Sequence, residues 1–467
     1  MRVVSQTIQR LCFVAAIIGG GTNDRAASAE TEFLDPATRS RRPVALVAEG
    51  NRLFVANRRA GTVSAVDLVA KRVINETIVG GRLADVALVR DGKSLLLVDE
   101  QGGRLVLLDR QGDQLRQAGS HGVASHPVNV VTSENGEWCA VASLWSRRIS
   151  FVELLPATGE NAPRMKTTAV IDLPFAPRLQ LLTRDGRYLI AADSLGGRLG
   201  VIDVRRRKLR AIRRVEGHGI RGLTLSPDGR EVVIAQQLLN GRVPTAASRI
   251  FWGAVVSSVA RSVRVEEFLR GLEDDDSDAS DDDEPIESEI AHWSLFPLGE
   301  PGKGSGDPGE ILITRKGQVV VALSGINEVG VRAARRDLIR LAVGRRPTAL
   351  ALNDDQTTAY VAETLGDSIS ILDLAATEIV GAISLRPRPS PSLADRGEEL
   401  FYNARLSHAD WYSCHSCHPD GHSNGRLNDN LSDGSHGSPK RVLSLLGVAD
   451  SKPWAWTGSQ AALETQI

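Results

Sequence analysis

The chain has 467 residues, enough for two or three domains with well-buried cores. Its formal net charge is -1 and its charged fraction is an ordinary 24%, so no polyelectrolyte partner is implied. Aromatic residues make up only 4%, which speaks against the stacking platforms of a nucleic-acid binder.

Residues 1–29 read as an export signal. Arg2 and Arg10 supply a positive start, Leu11 to Gly20 a short apolar core, and Ala27-Ser28-Ala29 a small-residue cleavage site before Glu30. That core is too short to span a bilayer, so a soluble periplasmic protein without a membrane span is expected. Cys12 falls inside the signal. Cys139, between Trp138 and Ala140 in a strand-like run, reads as a small buried apolar side chain with an inert thiol.

From Arg42 to Leu385 the sequence repeats itself. One unit opens with Arg42-Pro43-Val44-Ala45 and continues through Leu53-Phe54-Val55-Ala56-Asn57 and Val63-Ser64-Ala65-Val66-Asp67-Leu68. Another opens with Arg346-Pro347-Thr348-Ala349 and continues through Tyr360-Val361-Ala362-Glu363 and Ser368-Ile369-Ser370-Ile371-Leu372-Asp373-Leu374. Further units begin near Leu83, Pro127, Pro177, Ile220 and Pro308, making seven at a spacing of roughly 40 residues. Turn dipeptides such as Asp91-Gly92, Asn135-Gly136, Asp185-Gly186 and Asp228-Gly229 separate short β-branched and aliphatic runs. Such repeats predict a mainly β fold, a seven-bladed β-propeller over 42–385. At the quoted residues the region resembles the YVTN-type propellers, with Val-Ala-Asn and Val-Ala-Glu in place of Val-Thr-Asn. The resemblance specifies fold, and fold alone carries no activity.

The fifth unit is interrupted by an insertion placed at 252–290. Ser257 to Leu272 is expected to be helical. The acidic run Glu273 to Glu284 lacks the glycine and terminal glutamate of a calcium loop in register, so it reads as a solvated, disordered acidic loop. The propeller is expected to resume near His292-Trp293-Ser294-Leu295. Arg386-Pro387-Arg388-Pro389-Ser390-Pro391-Ser392 then forms a stiff Pro-rich linker, 386–392.

Beyond it, over 393–467, the pattern becomes helical. Asp395 is expected to cap a helix that sets Phe401 four residues after Gly397 on one face. Then comes Cys414-His415-Ser416-Cys417-His418, and in an exported protein C-x-x-C-H is the attachment sequence for haem c. Residues i, i+3 and i+4 of one helical turn place both sulfurs at the haem edge and the His418 imidazole beneath the iron as proximal ligand. Pro419 and Asp420-Gly421 keep that turn short. Two alternatives were weighed: a Cys414–Cys417 disulfide, and a zinc site of Cys414, Cys417, His418 and His422. The zinc site lacks a second ligand pair at knuckle spacing.

With the motif, Phe401, Trp411-Tyr412, Leu445-Leu446-Gly447-Val448 and Pro453-Trp454-Ala455-Trp456-Thr457-Gly458, residues 394–467 resemble the bacterial di-haem cytochrome c peroxidase family. The resemblance implies a haem that relays electrons or activates peroxide, paired with a second haem. This sequence has one C-x-x-C-H where the family pattern has two. Ala461 to Ile467 read as a helix without a cap, so the cytochrome domain is expected to be incomplete here, with the second haem in a missing part.

The only methionines are Met1 and Met165, so a methionine opposite His418 is not expected. That position is open, held by water, or filled by His408, His415, His422 or His436, of which His422 and His436 are the leading distal candidates. Trp454 and Trp456 are candidate electron relays, with packing as the competing reading, and His436 is a candidate catalytic group. The reading is a periplasmic c-type haem protein with peroxidase-like chemistry, taking electrons from a small cytochrome and acting on hydrogen peroxide, its propeller a platform for partner or substrate. The alternative is a non-catalytic electron-transfer protein whose propeller docks a redox partner. A quinoprotein-like propeller enzyme lacks any recognisable constellation on the blades.

Overall fold

In each repeat unit, short runs of alternating side chains lie between turns, and an alternating strand can bury both its faces only when a neighbouring unit packs on each side. The computed structural model, which describes residues 39–89, 92–156, 164–272, 284–333, 336–430 and 434–463, shows how this is done. The stretch expected to be an export signal, 1–29, and most of the acidic run, 273–283, lie outside the described residues. Blade 1 is an antiparallel sheet of Pro43–Glu49, Arg52–Asn57, Thr62–Asp67 and Arg72–Ile78, in that order from the centre outward. Blades 2, 3, 4, 6 and 7 repeat it, opening at Leu83, Pro127, Pro177, Pro308 and Pro347, and blade 5 opens at His218. A proline at the first residue of an inner strand sacrifices no ladder bond. The inner strands touch one another all the way round, and Pro43–Glu49 meets Pro347–Leu352, so seven blades close into a propeller.

The core is therefore not one mass but seven wedges. In Arg52–Asn57, Phe54 and Ala56 face blade 2 while Leu53 and Val55 face blade 7. Cys139 sits in the wedge between blades 2 and 3, where burial pushes its thiol up to about 12. Apart from the strand that Ile286–Glu289 lends to blade 4, each blade takes its strands from one stretch of sequence, and among the described residues no strand is exchanged between blades 7 and 1. Blade 7 meets blade 1 through apolar packing, a hydrogen bond from Thr364 Oγ1 to the Pro43 carbonyl (2.7 Å) and one from the Arg42 amide to Asp367 (2.7 Å).

Blade 5 differs from expectation. A short helix, α1 (Ala247–Phe251), precedes the strand Val256–Arg264, and helix α2 (Val265–Leu269) follows it. The predicted helix from Ser257 is thus mostly strand, because Glu231–Leu239 on one side and Ser294–Pro297 on the other need a partner between them. Phe268 of α2 is buried between blades 4 and 5, and Ile286–Glu289 adds a parallel strand to the outer edge of blade 4.

The C-terminal region begins with helix α3 (Leu393–Phe401). Its N-cap is Ser392 rather than Asp395, which occupies the third helical position and closes a reciprocal capping box with Ser392. Single turns follow, then α4 (Cys414–Cys417), and a two-residue strand pair, Leu427–Asn428 with Lys440–Arg441, departs from an all-helical plan. The helix expected at the end falls largely outside the described residues. Among the described residues no helix is long and apolar enough to cross a membrane.

Candidate functional site

The α4 turn is built from its serines. Ser413 Oγ accepts the His415 amide (3.1 Å) and Ser416 Oγ accepts the Ser413 amide (3.0 Å), a second capping box that fixes four residues too few to hold a helix alone. Cys414 and Cys417 are free thiols, not a disulfide, and burial together with the nearby Asp307 pushes them up to about 11 and about 12. His418 ends the turn outside helical geometry, with Pro419 preventing continuation. Its Nδ1 donates to the His422 carbonyl at 3.1 Å, which fixes the tautomer with Nε2 as the ring's lone-pair nitrogen, and burial holds the ring below its ordinary pKa and so neutral. Two thiols and a neutral imidazole on one turn are the donor set that a covalent haem c requires.

The propeller holds this turn at three points. Asp307, just before the inner strand of blade 6, accepts from the Ser413 and Ser416 hydroxyls and faces His415 Nδ1 at 3.6 Å. Asp420, two residues after His418, accepts from Arg178 (2.5 Å) on blade 4, Arg221 (3.0 Å) on blade 5, and Ser194 Oγ (2.6 Å). Burial alone would raise the Asp420 carboxyl, but the two guanidiniums hold it well below the usual carboxylate range. His218 of blade 5, buried and neutral, donates from Nε2 to the Ser416 carbonyl at 3.0 Å.

A second anchor is the run Gly299, Gly302, Gly304 and Gly306 between blades 5 and 6. The Gly304 and Gly306 amides donate to the Ala409 and Asp410 carbonyls (2.7 and 2.9 Å). A Cβ on Gly299 would stand 2.9 Å from the Trp411 ring, and one on Gly304 2.7 Å from the Trp411 Cα. Trp411 is buried against α1 and donates from Nε1 to the Phe251 carbonyl. Around the rim, Arg42 and Arg59 of blade 1 pair with Asp395, and Arg345, just before blade 7, pairs with Glu399.

The histidines near the turn are differently employed. The His422 carbonyl lies on the Nδ1 side of His418, while its ring bonds through Nδ1 to Ser444 Oγ (2.6 Å) and packs edge-on against Trp145; among the described residues no three ligand-type side chains gather as a metal site. His415 is committed to Asp307 and packs on Tyr402, His408 lies near the Phe251 ring, and His436 is exposed on its loop. Trp454 and Trp456 donate their indole N–H groups to the Val448 and Arg441 carbonyls (2.7 Å each), Trp454 half-buried and Trp456 exposed. The residues that dock the turn (Asp307, Asp420, Arg178, Arg221, His218 and Trp411) were not singled out from the sequence. Between the turn and the propeller mouth lies a cavity of about 1390 Å³, lined by inner strands and roofed by Phe401, Tyr402, His415 and Asp420.

Residues 391–467 match the model of the di-haem cytochrome c peroxidase family, whose members bind haem c. None of the curated proteins matches the chain. Among solved structures, hydrazine synthase of Kuenenia stuttgartiensis aligns with a TM-score of 0.60 at 18% identity, over 76% of this chain and 99% of that one. Streptogramin B lyase aligns at 0.51 and 13% identity, over 70% and 92%. Virginiamycin B lyase from Staphylococcus aureus aligns at 0.50 and 12% identity, over 71% and 94%. At these identities the likeness is one of fold. The chain is a seven-bladed β-propeller followed by a C-terminal region that matches the family model of di-haem cytochrome c peroxidase.

Proposed function

We propose that the protein is a periplasmic c-type haem protein with peroxidase-type chemistry, in which the propeller presents a partner or substrate to the haem-bearing turn. The observation that carries this reading is α4 itself: two unbridged thiols one turn apart, followed by a neutral His418 whose Nδ1 proton is already engaged. Cys414 and Cys417 would hold the porphyrin and His418 its iron, and a bound haem c would supply one-electron transfer and reduction of hydrogen peroxide. The remaining work belongs to the chain. The His422 carbonyl keeps the His418 tautomer and makes the ring a better donor. Asp307 and Asp420 fix the turn over the propeller mouth. A second ligand to that iron would come from water or from His408, His415, His422 or His436, with His422 and His436 the leading candidates.

The test is peroxidase turnover by the exported full-length protein with a reduced small cytochrome as donor. A high-spin ferric spectrum that shifts with cyanide, together with turnover, supports the reading. A low-spin spectrum indifferent to cyanide and peroxide, without turnover, rejects it in favour of an electron-transfer protein whose propeller docks a redox partner.

A further inference from the structure

The residue just before an inner strand recurs as a charged or histidine side chain: Arg42, Arg82, His126, Asp307 and Arg346. Four of these, Arg42, His126, Asp307 and Arg346, share a left-handed backbone, with φ of 55°, 59°, 53° and 53°. Non-glycine residues adopt this conformation rarely and at a cost, so its recurrence around the mouth of one channel is a built feature. Of this set Arg42, Arg82, Asp307 and Arg346 line the cavity beneath the haem-bearing turn, and His126 does not.

We propose that this cavity binds a small organic anion carrying a hydroxyl or N–H group at its other end. Arg42 is 3% exposed and lines the cavity, yet its Nε and Nη1 have no hydrogen-bond partner, its Nη2 being taken by Asp395 and Glu398. Buried donors left unmade are costly, and an acceptor in the cavity would recover that cost. Among the described residues no carboxylate pairs with Arg82 or with Arg346, whose guanidinium lies over the Tyr402 ring. On the opposite side of the ring, Gln180 of blade 4 is 7% exposed; its amide nitrogen bonds to the Asn129 and Ala140 carbonyls, and its Oε1 has no partner.

The ligand's charged end is thus set toward blades 1, 2 and 7 and its hydrogen-bond donor toward blade 4. The acids of the channel already have partners. Asp307, Asp395 and Asp420 bond to hydroxyls or arginines, Glu100 pairs with Arg58 and Glu398 with Arg42, while Asp85 and Glu310 accept from backbone amides of the next blade. At about 1390 Å³ the space exceeds the usual small-ligand pocket of roughly 300–1,000 Å³.

This inference does not depend on the iron, so calorimetry reads it separately. The exported full-length protein is titrated with malate, gluconate and glucose 6-phosphate, and with uncharged glycerol and glucose. At least one anion is expected to bind saturably and neither neutral compound to bind. R82Q and R346Q should each weaken that binding about tenfold or more, whereas R230Q, in an exposed turn away from the cavity, should not. R42Q is avoided because Arg42 also holds Asp395. Solvent alone in the cavity, seen as no heat from any of the three anions, overturns the proposal. So does equal binding of the neutral compounds, or binding unchanged in both R82Q and R346Q.

Discussion

Asp420→Asn removes one negative charge from between two buried guanidiniums and leaves the shape of the side chain intact. The side chains of Asp420, Arg178 and Arg221 are 20%, 22% and 14% exposed, so the cluster is mostly shielded from water. At an effective dielectric of about 20, each attraction is worth about 4 kcal/mol at 4 Å, and the two arginines repel each other once the carboxylate is neutral. Removing one partner from a buried pair costs about 3–5 kcal/mol, and the partial exposure sets this case near the lower figure. A loss of about 3 kcal/mol is about a hundredfold in the equilibrium between the docked and released turn.

Hydrogen exchange of the amides from 414 to 421 reads that equilibrium directly. Protection there is expected to fall about a hundredfold, with protection in blade 3 unchanged. The pH dependence has a fixed sign. Because the folded Asp420 carboxyl lies well below its unfolded value, its contribution is complete above about pH 4 and is lost as pH falls through the depressed folded value. Asp420→Asn should remove that acid sensitivity from the 414–421 amides. Protection within about threefold of the parent protein would refute the clamp, because a loss of even 1 kcal/mol exceeds it.

Trp411→Ala empties a site framed by Gly253, Gly299 and α1; a cost of about 3–5 kcal/mol is expected in thermal unfolding followed by tryptophan fluorescence, and a loss under about 1 kcal/mol would show that this close fit does not hold it. His218 is depressed to about 4 by burial, so the unfolded chain takes up its proton first and stability should fall as pH drops from about 6.5 toward 4. Denaturant midpoints across that range should flatten in His218→Gln. His422→Ala keeps the backbone carbonyl that receives the His418 proton, so the Soret and visible bands should match those of the parent; a displaced Soret band would instead identify His422 as an iron ligand.

The propeller was legible because its evidence is local. Alternation such as Phe54/Ala56 against Leu53/Val55 and the opening Pro43, Pro127, Pro177, Pro308 and Pro347 state the period and start of each blade. Blade 5 was misread where Ser257 to Leu272 mixes valines with charges at helical spacing, and only pairing with Glu231–Leu239 decides for strand. The turn carrying Cys414, Cys417 and His418 was visible as a motif. Its supports were not, because Asp307 and Arg221 lie a hundred residues or more away along the chain, and sequence does not show which distant charge an aspartate meets. One signal lies in the sequence: Gly299, Gly302, Gly304 and Gly306 crowd into eight residues, more glycine than a single turn needs, a density that marks close backbone approach.

Contiguous blades have a consequence for biosynthesis. The flank of the first blade that carries Leu46, Leu53, Val55 and Val66 has no mate until the last blade leaves the ribosome. For roughly 300 residues of elongation that greasy surface stands open, and at ordinary synthesis rates of about 5–20 residues per second the interval is tens of seconds. A nascent chain in that condition is a candidate for misassembly with its neighbours, and holding factors would matter most before the wheel can shut.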